Sequence, residues 1–329
     1  MVKRVLALLL MATLCIGMIT GCKKDVGTQE DNAVKNDEST ADAVPTFTFG
    51  FSCITMENPY FITLEAAVRE QVENEGNTLI TMDPVLNVDT QNEQITEMIE
   101  QGIDAIFLCP VDWEKIQPSI DALKKANVKI INLDTEVKDM DSVDAYIGTD
   151  NKNAGYICGE DLIKKCPNGG KIVILEAPNM NSINDRITGF EEAIVDKGFE
   201  VVTRQDVQGD LNESLDQATK IFAKNPDVVA VMCGNDPTAL GALVAANAAL
   251  MKDVIIYGID GSPDLKKELA KPDSIIAGTA AQSPISMGKK AVEVALKILN
   301  GEDFEKATYE ETFLITKENV DMYGVDGWQ

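Results

Sequence analysis

The chain has 329 residues, which is too long for one small core and suits two lobes. It carries 54 Asp and Glu residues against 29 Lys and Arg residues, so its net charge of −25 leaves no basic face for a nucleic-acid partner. The sequence contains no histidine, which excludes the commonest general base and every zinc site that uses histidine. We therefore expect a neutral or cationic ligand and neither a metal nor a cofactor.

The first segment predicts an export signal. Lys3 and Arg4 precede an apolar run over residues 5–19, which is short for a bilayer span and suits the hydrophobic region of a secretory signal. The run ends in "ITGC", which resembles the bacterial lipobox and predicts lipidation of Cys22 after removal of residues 1–21. An ordinary signal followed by an unrelated cysteine is the alternative.

A polar segment then separates this signal from the body of the protein. Residues 22–45 contain almost no large apolar side chain and cannot bury enough surface to offset the entropy of ordering. We expect a disordered tether that begins at the lipidated cysteine. The body is then extracytoplasmic and attached to the cell membrane by its lipid anchor.

The body alternates between short apolar runs and amphipathic stretches with helical periodicity. Strands are predicted at 47–53, 78–82, 104–109, 128–133, 144–148, 171–175, 199–204, 227–233 and 254–259, with a further apolar stretch at 275–280. Helices are predicted at 59–75, 89–101, 115–126, 151–165, 182–197, 211–224, 236–250 and 284–299. Strands this apolar between helices favour parallel sheets covered on both faces. One sheet of ten strands would be unusual, so an α/β protein with two doubly wound lobes is the simpler prediction.

The remaining cysteines suggest no redox or metal function. They are odd in number and no two have CxxC spacing: Cys53, Cys109, Cys158, Cys166 and Cys233. We expect small buried thiols, because no histidine could activate a nucleophile. The acidic segment "DMDSVD" at 139–144 lacks the glycine and distal glutamate of a calcium loop and is predicted to be a solvated loop.

Polar and aromatic side chains follow the predicted strands, at the edge where open α/β sheets bind ligands. In chain order they are Asn58, Tyr60, Phe61, Trp113, Asp134, Thr135, Asn184, Arg186, Asn235, Asp260 and Gln282. Carboxylates accept hydrogen bonds from hydroxyl groups, amides and arginine donate them, and aromatic rings stack on the C–H face of a sugar ring. The set predicts a binding site for a sugar-like ligand.

Local structural roles remain open for several of these residues. Asp134 and Asp260 could each cap the turn that follows its strand, and Tyr60 and Phe61 could pack on their own helix. Their neighbour Asp236 is predicted to cap the helix that Pro237 opens, just as Asn58 is predicted to cap the helix that begins at "PYF".

Eight segments in a fixed order resemble the periplasmic sugar-binding proteins of the ribose and galactose type, the substrate receptors of ABC importers. They lie between residues 47 and 317: "NPYF", "QGIDAIFLCPVD", "VKIINLDTE", "YIGTDNKNAG", "DRITGF", "CGNDPTALGA", "YGIDGSPD" and "GTAAQSP". The resemblance implies a type I periplasmic binding protein whose two doubly wound parallel-sheet lobes are joined by a three-strand hinge. The first lobe would comprise 46–149 and 283–312, and the second 150–282 and 313–329.

The resemblance also implies roles for individual residues. Asn58, Tyr60 and Phe61 resemble the first-lobe contacts at a helix start, and Asp134 resembles the first-lobe carboxylate. Asn235, Asp260 and Gln282 match contacts of the second lobe and hinge with sugar hydroxyls.

Three departures weaken the case for ribose itself. Thr135 occupies a position where the ribose-type receptors have an arginine, and Asn184 occupies the position of a second ligand-binding arginine, although the neighbouring Arg186 is present. Leu211 occupies the position of an aromatic residue. Another monosaccharide, a polyol and an inositol-like ring therefore remain alternatives.

The resemblance implies a monomeric receptor that binds a monosaccharide or polyol and delivers it to the membrane subunits of an ABC permease. A receptor that signals to a membrane kinase or chemoreceptor is the main alternative, because it would use the same pocket. A glycosidase using Asp134 and Asp260 as paired carboxylates is the enzyme alternative, and it is disfavoured because the two acids are expected on different lobes and nothing in the sequence suggests a raised acid pKa. The sequence lacks the glycine-rich motifs of a nucleotide-binding enzyme. A repressor would need a basic helix-turn-helix at the N-terminus, where the export signal is predicted instead.

Overall fold

The computed structural model describes residues 46–329. The predicted signal peptide, the lipidation site at Cys22 and the tether lie outside the described residues. Within the described part, no helix is long and apolar enough to cross a membrane. The same part holds no group of three or more Cys, Asp or Glu side chains arranged to bind a metal ion.

The described chain alternates strands and helices almost throughout. The strands are β1 (Thr48–Ser52), β2 (Thr78–Met82), β3 (Ala105–Leu108), β4 (Lys129–Asp134), β5 (Ala145–Thr149), β6 (Gly170–Glu176), β7 (Phe199–Asp206), β8 (Val228–Cys233), β9 (Ile255–Asp260), β10 (Ile276–Ala281), β11 (Ala307–Glu310) and β12 (Phe313–Thr316). The helices are α1 (Pro59–Asn74), α2 (Val88–Glu100), α3 (Gln117–Lys125), α4 (Asn151–Lys165), α5 (Asn181–Ile194), α6 (Leu211–Lys224), α7 (Asp236–Ala248), α8 (Pro263–Leu269), α9 (Pro284–Asn300) and α10 (Val320–Tyr323), with a 3-10 turn at Met140–Ser142.

These strands form two six-stranded sheets of the same design. The first sheet has the order β11-β5-β4-β3-β1-β2 and the second the order β12-β10-β9-β8-β6-β7. Neighbouring strands are parallel except for the antiparallel pair β10 and β12. We call the parts built on the two sheets the first and second lobes. The predicted fold class, α/β with two doubly wound lobes, is confirmed.

The chain passes between the sheets three times. Strand β5 belongs to the first sheet, whereas the next helix, α4, packs on β10 and β12 of the second. Strand β10 belongs to the second sheet, and the following helix α9 packs on α1 and β4 of the first. The last passage runs from β11 to β12.

Local signals explain most helix starts. The side chain of Asn58 accepts a hydrogen bond from the Tyr60 N–H at 2.9 Å, as expected for the cap of α1. The prediction for α7 was wrong by one residue: Asn235 is the cap, since its side chain accepts from the Thr238 N–H at 3.0 Å, and Asp236 is the first helical residue. Asp236 is fully buried, and its carboxylate bonds to Ser262 before α8 and to Thr279 of β10, as described below.

Four elements were not predicted from the sequence because each is short, and one of them is the four-residue helix α10. Strands β11 and β12 have four residues each and mix polar with apolar side chains, and α8 has only seven residues. The cysteines follow expectation: all five in the described part are free, and all but Cys166 are buried. Burial raises the pKa of the Cys53, Cys109 and Cys233 thiols, which makes them poor nucleophiles.

Candidate functional site

A cleft with two adjoining compartments lies between the lobes, at the carboxyl ends of the strands. The inner compartment has a volume of about 30 Å³ and the outer one about 270 Å³. Five residues line both compartments: Thr55, Asn58, Leu86, Gly209 and Asp260. The two spaces are therefore parts of one cleft.

Two buried carboxylates enter this cleft from opposite lobes. Asp134 ends β4 in the first sheet and Asp260 ends β9 in the second, and their exposed fractions are 4 % and 3 %. Both have positive φ angles, 61° for Asp134 and 151° for Asp260, where a non-glycine residue costs on the order of 1–3 kcal/mol. Strain of this kind persists where the surrounding structure over-determines it, which is common at functional sites.

The guanidinium of Arg186 lies between these two acids. Its Nη2 is 4.0 Å from Asp134 Oδ1 and its Nη1 is 3.8 Å from Asp260 Oδ1. Its remaining donors hold it in place: Nε donates to Asn151 Oδ1 at 2.8 Å, and Nη1 donates to the Gly234 carbonyl at 3.0 Å. One fixed cation therefore serves carboxylates of both lobes.

Close helix packing positions this arginine. Arg186 lies on α5, which packs directly on α4. A Cβ atom on Gly155 of α4 would lie 1.7 Å from the Arg186 carbonyl oxygen, and one on Gly189 of α5 would lie 1.9 Å from the Lys152 carbonyl oxygen. Only glycine permits this approach at either position.

A second network surrounds Asp260. The Gln282 amide donates to Asp260 Oδ1 at 2.8 Å, and the Asp236 N–H donates to Oδ2 at 3.2 Å. The Asp236 carboxylate accepts from the Ser262 N–H and from the Thr279 hydroxyl, each at 2.7 Å. These bonds fix both acids, so Asp260 is held rigidly against the cleft.

The site has more buried acid than buried base. Burial raises the pKa of Asp134, and the nearby Arg186 only partly offsets this. Burial and the neighbouring Asp236 together raise the pKa of Asp260 well above its ordinary value. Three buried carboxylates share one arginine, so the cleft favours groups that donate hydrogen bonds and disfavours anions.

One of these carboxylates also has an unused acceptor. Asp134 Oδ1 is buried and has no hydrogen-bond partner among the described residues, and Gln282 Oε1 is in the same state. A buried acceptor left unpaired costs about 1–3 kcal/mol. Because Asp134 lines the inner compartment, a ligand that brings a hydroxyl donor would remove this cost.

Two aromatic rings form an apolar side of the inner compartment. Tyr60 and Phe61 are 2 % and 4 % exposed, and their ring centroids are 5.3 Å apart in an edge-to-face arrangement. Asn58 and Asn235 also line this compartment, although the Asn235 amide already donates to the Gly209 carbonyl at 2.9 Å.

Four residues predicted for the site line neither compartment, and one of them is Gln282, which bonds to Asp260 as described above. Trp113 is half-buried, and its main-chain N–H donates to the Asn179 carbonyl of the other lobe at 3.0 Å. The Thr135 hydroxyl accepts from the Ser182 N–H across the cleft at 2.9 Å. Asn184 lies on α5, and its side chain donates to the Pro178 carbonyl of the preceding loop at 3.0 Å. Trp113 and Thr135 thus join the lobes, while Arg186 occupies the place between the acids.

Several lining residues escaped the sequence analysis. Leu86 and Gly209 lie on loops after strands whose ends carry no obvious ligand group. Trp328 lies in the C-terminal "DGWQ", beyond the region of resemblance, and lines the outer compartment. A lone tryptophan in a short polar tail was the available signal.

Comparisons with known proteins agree with this architecture. Residues 49–303 match the sequence profile of the family described as periplasmic binding protein domain. The ribose import binding protein of Bacillus subtilis strain 168 is 30 % identical over 261 residues, which are 79 % of this chain and 84 % of that protein.

Solved structures of ABC transporter solute binding proteins share the fold. The one from Bacillus halodurans C-125, with bound myo-inositol, has a TM-score of 0.78 and 26 % identity, and the match covers 84 % of this chain and 97 % of that one. The one from Mycobacterium smegmatis, with bound glycerol, has a TM-score of 0.82 and 24 % identity, covering 87 % and 100 %. The chain therefore belongs to the periplasmic binding protein family, as the order of its motifs predicts.

Proposed function

We propose that this protein is an extracytoplasmic receptor that binds a monosaccharide or a related polyol between its lobes and delivers it to an ABC permease. One observation carries the proposal: Asp134 and Asp260 approach one cleft from opposite sheets and share Arg186, while Asp134 Oδ1 lacks a partner. Carboxylates accept from sugar hydroxyls and the arginine donates to them, so a polyhydroxylated ligand satisfies all three groups.

The proposed contacts form a subset of those expected from the sequence. Hydroxyl groups bond to the acids Asp134 and Asp260, to Arg186 and to Asn58, while Tyr60 and Phe61 cover the C–H face of the ring. Asn235 completes the wall of the compartment. Gln282 acts through Asp260, whose carboxylate it holds.

The protein is proposed to bind its ligand without reacting with it. Burial raises the pKa of both candidate acids, which the sequence did not predict, but Asp134 and Asp260 stand on different sheets with Arg186 between them. This arrangement favours two acids that hold one ligand over a hydrolytic acid pair. Incubation with aryl glycosides tests this, because release of the aryl alcohol would indicate a glycosidase instead.

Lobe closure is proposed to report occupancy to the permease. Direct contacts cross the cleft mouth, including Thr135 with Ser182 and the Asn179 amide with the Val111 carbonyl at 2.8 Å. A ligand bound by both lobes adds to these contacts only in the closed form. The Bacillus subtilis relative is a ribose import binding protein, which favours an importer over a signalling receptor.

Attachment to the membrane is a separate proposal. The "ITGC" segment supports lipidation of Cys22, with residues 22–45 as the tether and the body as a monomer. Mass spectrometry of protein extracted from membranes should find the lipid on Cys22, and Cys22→Ser should move the protein to the soluble fraction. Sedimentation of the body as a dimer would contradict the monomer.

A thermal-shift screen of the body, residues 46–329, tests the function directly. The panel should contain pentoses, hexoses, glycerol and myo-inositol, because a ligand that binds only the folded state raises the melting temperature by mass action. We expect at least one compound to do so and to give saturable heat in calorimetry. If no carbohydrate or polyol in the panel binds, the proposed function is wrong.

A further inference from the structure

Most of the open space in the cleft lies beside a residue outside the expected site. The outer compartment, with about 270 Å³ against 30 Å³ for the inner one, is bounded by Trp328. This side chain lies in the last segment of the chain, residues 324–329, which we call the C-terminal segment. It follows α10 of the second lobe.

The C-terminal segment is fastened to the second lobe. Lys266 of α8 is fully buried, and its ammonium group donates to the Gly327 carbonyl at 2.5 Å. Its exposed neighbour Lys267 lies 3.9 Å from Asp326. A buried lysine directed at a backbone carbonyl fixes the chain immediately before Trp328.

From that anchor the indole reaches the first lobe. The Trp328 ring lies 5.8 Å from the ring of Tyr60, at an interplanar angle of 73°. Tyr60 is on α1 and also lines the inner compartment. Tyr60 lines the inner compartment and Trp328 the outer one, so the two rings in contact form one aromatic wall along the cleft.

The chemistry of the outer compartment differs from that of the inner one. Its apolar lining includes Leu86, Leu211, Pro237 and Leu240 together with the indole. Its charged lining groups are all acids, namely Glu57, Asp210, Asp260 and Asp264, and no cationic side chain of the described chain lines it. Such a surface stabilises a flat apolar group that is neutral or cationic, and repels an anion.

We propose that the ligand is a sugar or polyol ring carrying a planar, uncharged or cationic substituent, which occupies the outer compartment against Trp328. This inference rests on the proposed function, because the hydroxyl groups of the ring must bond to Asp134 and Asp260 where the two compartments meet. Trp328 is then the residue that selects the substituent. A nucleoside and an aryl glycoside share the required chemistry, a ring linked to a flat group.

Paired ligands test this proposal by calorimetry on the described body. The first arm compares D-ribose with adenosine and uridine, and the second compares methyl with phenyl glycosides of the hexose that binds best. We expect the substituted member of one arm to bind at least ten-fold more tightly, and the arm that responds identifies the source of the group. Ribose 5-phosphate should bind more weakly than ribose.

Trp328→Ala should reduce the ratio of the affinity for the substituted ligand to that for the plain sugar about ten-fold. Trp328→Phe should retain most of this ratio. Trp113→Phe is the matched control, since Trp113 lines neither compartment, and it should leave the ratio unchanged. An unchanged ratio in Trp328→Ala, or plain sugars that bind as tightly as substituted ones, overturns the inference and leaves the proposed function standing. If neither member of any pair binds the wild type, the inference is wrong, and the thermal-shift panel with its polyols decides the proposed function separately.

A measurement without ligand checks the aromatic contact itself. In a Trp113→Phe background Trp328 is the single tryptophan, so acrylamide quenching reports its exposure alone. Tyr60→Ala should increase this quenching because it removes the ring on which the indole packs. Equal quenching with and without the Tyr60 ring contradicts the contact and, with it, the proposed wall.

Discussion

The hydroxyl of Tyr146 donates a hydrogen bond to the backbone carbonyl of Asp134 at 2.9 Å. Tyr146 is buried on β5, the strand next to β4, and a Cβ on Gly148 would lie 1.9 Å from its hydroxyl oxygen. The glycine thus leaves the space in which the tyrosine holds the end of β4. That end has the left-handed φ of 61° and presents the Asp134 carboxylate to the cleft.

Tyr146→Phe should destabilise the protein by about 1–3 kcal/mol, because it leaves a buried carbonyl without its donor. It should also weaken sugar binding, since Asp134 loses a support. Urea unfolding and calorimetry measure the two effects. Tyr309→Phe is the control: its ring packs on Tyr146 but its hydroxyl bonds to Glu136 at the surface. Equal effects of the two substitutions would contradict the role given to Tyr146.

Asp134→Ala and Asp260→Ala should each weaken ligand binding ten-fold or more, which is roughly 1.4 kcal/mol, with the fold intact. Each removes an acceptor for a ligand hydroxyl. Titration calorimetry gives the affinities and circular dichroism checks the fold. The exposed Asp303 offers a control, and Asp303→Ala should bind normally. Unchanged affinity in both cleft variants would remove the acids from the site.

Stability should depend on pH through Asp236. Burial raises the pKa of Asp236 from its ordinary value of 3.8 to about 6, so the folded state holds its proton more tightly than the unfolded state. This contribution to the free energy of unfolding is complete below about pH 3.8 and is lost as pH rises through about 6.

The wild type should therefore lose stability relative to Asp236→Asn as the pH rises from 4 to 7. Urea unfolding measured in steps of about one pH unit follows this loss. Asp303→Asn should show no such trend relative to wild type. A difference between wild type and Asp236→Asn that stays constant over this window would show that Asp236 is ionised throughout.

Gly155→Ala should destabilise the protein by about 1–3 kcal/mol and weaken binding, because the new methyl group pushes α5 and its Arg186 away from α4. Denaturant unfolding and calorimetry test the pair of effects. Glu160→Ala alters an exposed position of the same helix and should change stability by less than about 0.5 kcal/mol. Normal binding by Gly155→Ala would show that α5 tolerates the displacement.

Lys266→Met should loosen the C-terminal segment while leaving the second lobe folded, since Met fills the buried space without the donor to Gly327. Amide hydrogen exchange over residues 324–329 should accelerate, and Trp328 should become more accessible to acrylamide. Lys267→Met removes an exposed neighbour whose ion pair with Asp326 is long, and should change exchange much less. Equal exchange in both variants would show that the segment is held by other contacts.

The amino-acid sequence by itself determined what depends on neighbours along the chain. The apolar runs predicted the main strands, the helical periodicity predicted the helices between them, and Asn58 before Pro59 predicted the start of α1. These signals act over a few residues, so they can be read in order. The acids after the strands and the ordered motifs also indicated the two-lobed family before any contact was known.

Only the tertiary structure decided which of those side chains meet. It placed Arg186 between Asp134 and Asp260, turned Thr135 and Trp113 into contacts between the lobes, and brought Trp328 from the far end of the chain against Tyr60. The physical reason is that these contacts depend on how two sheets and their helices pack. Close packing of α4 and α5 at their glycines and the bond from the buried Lys266 contribute to that packing. No periodicity along the sequence encodes these contacts.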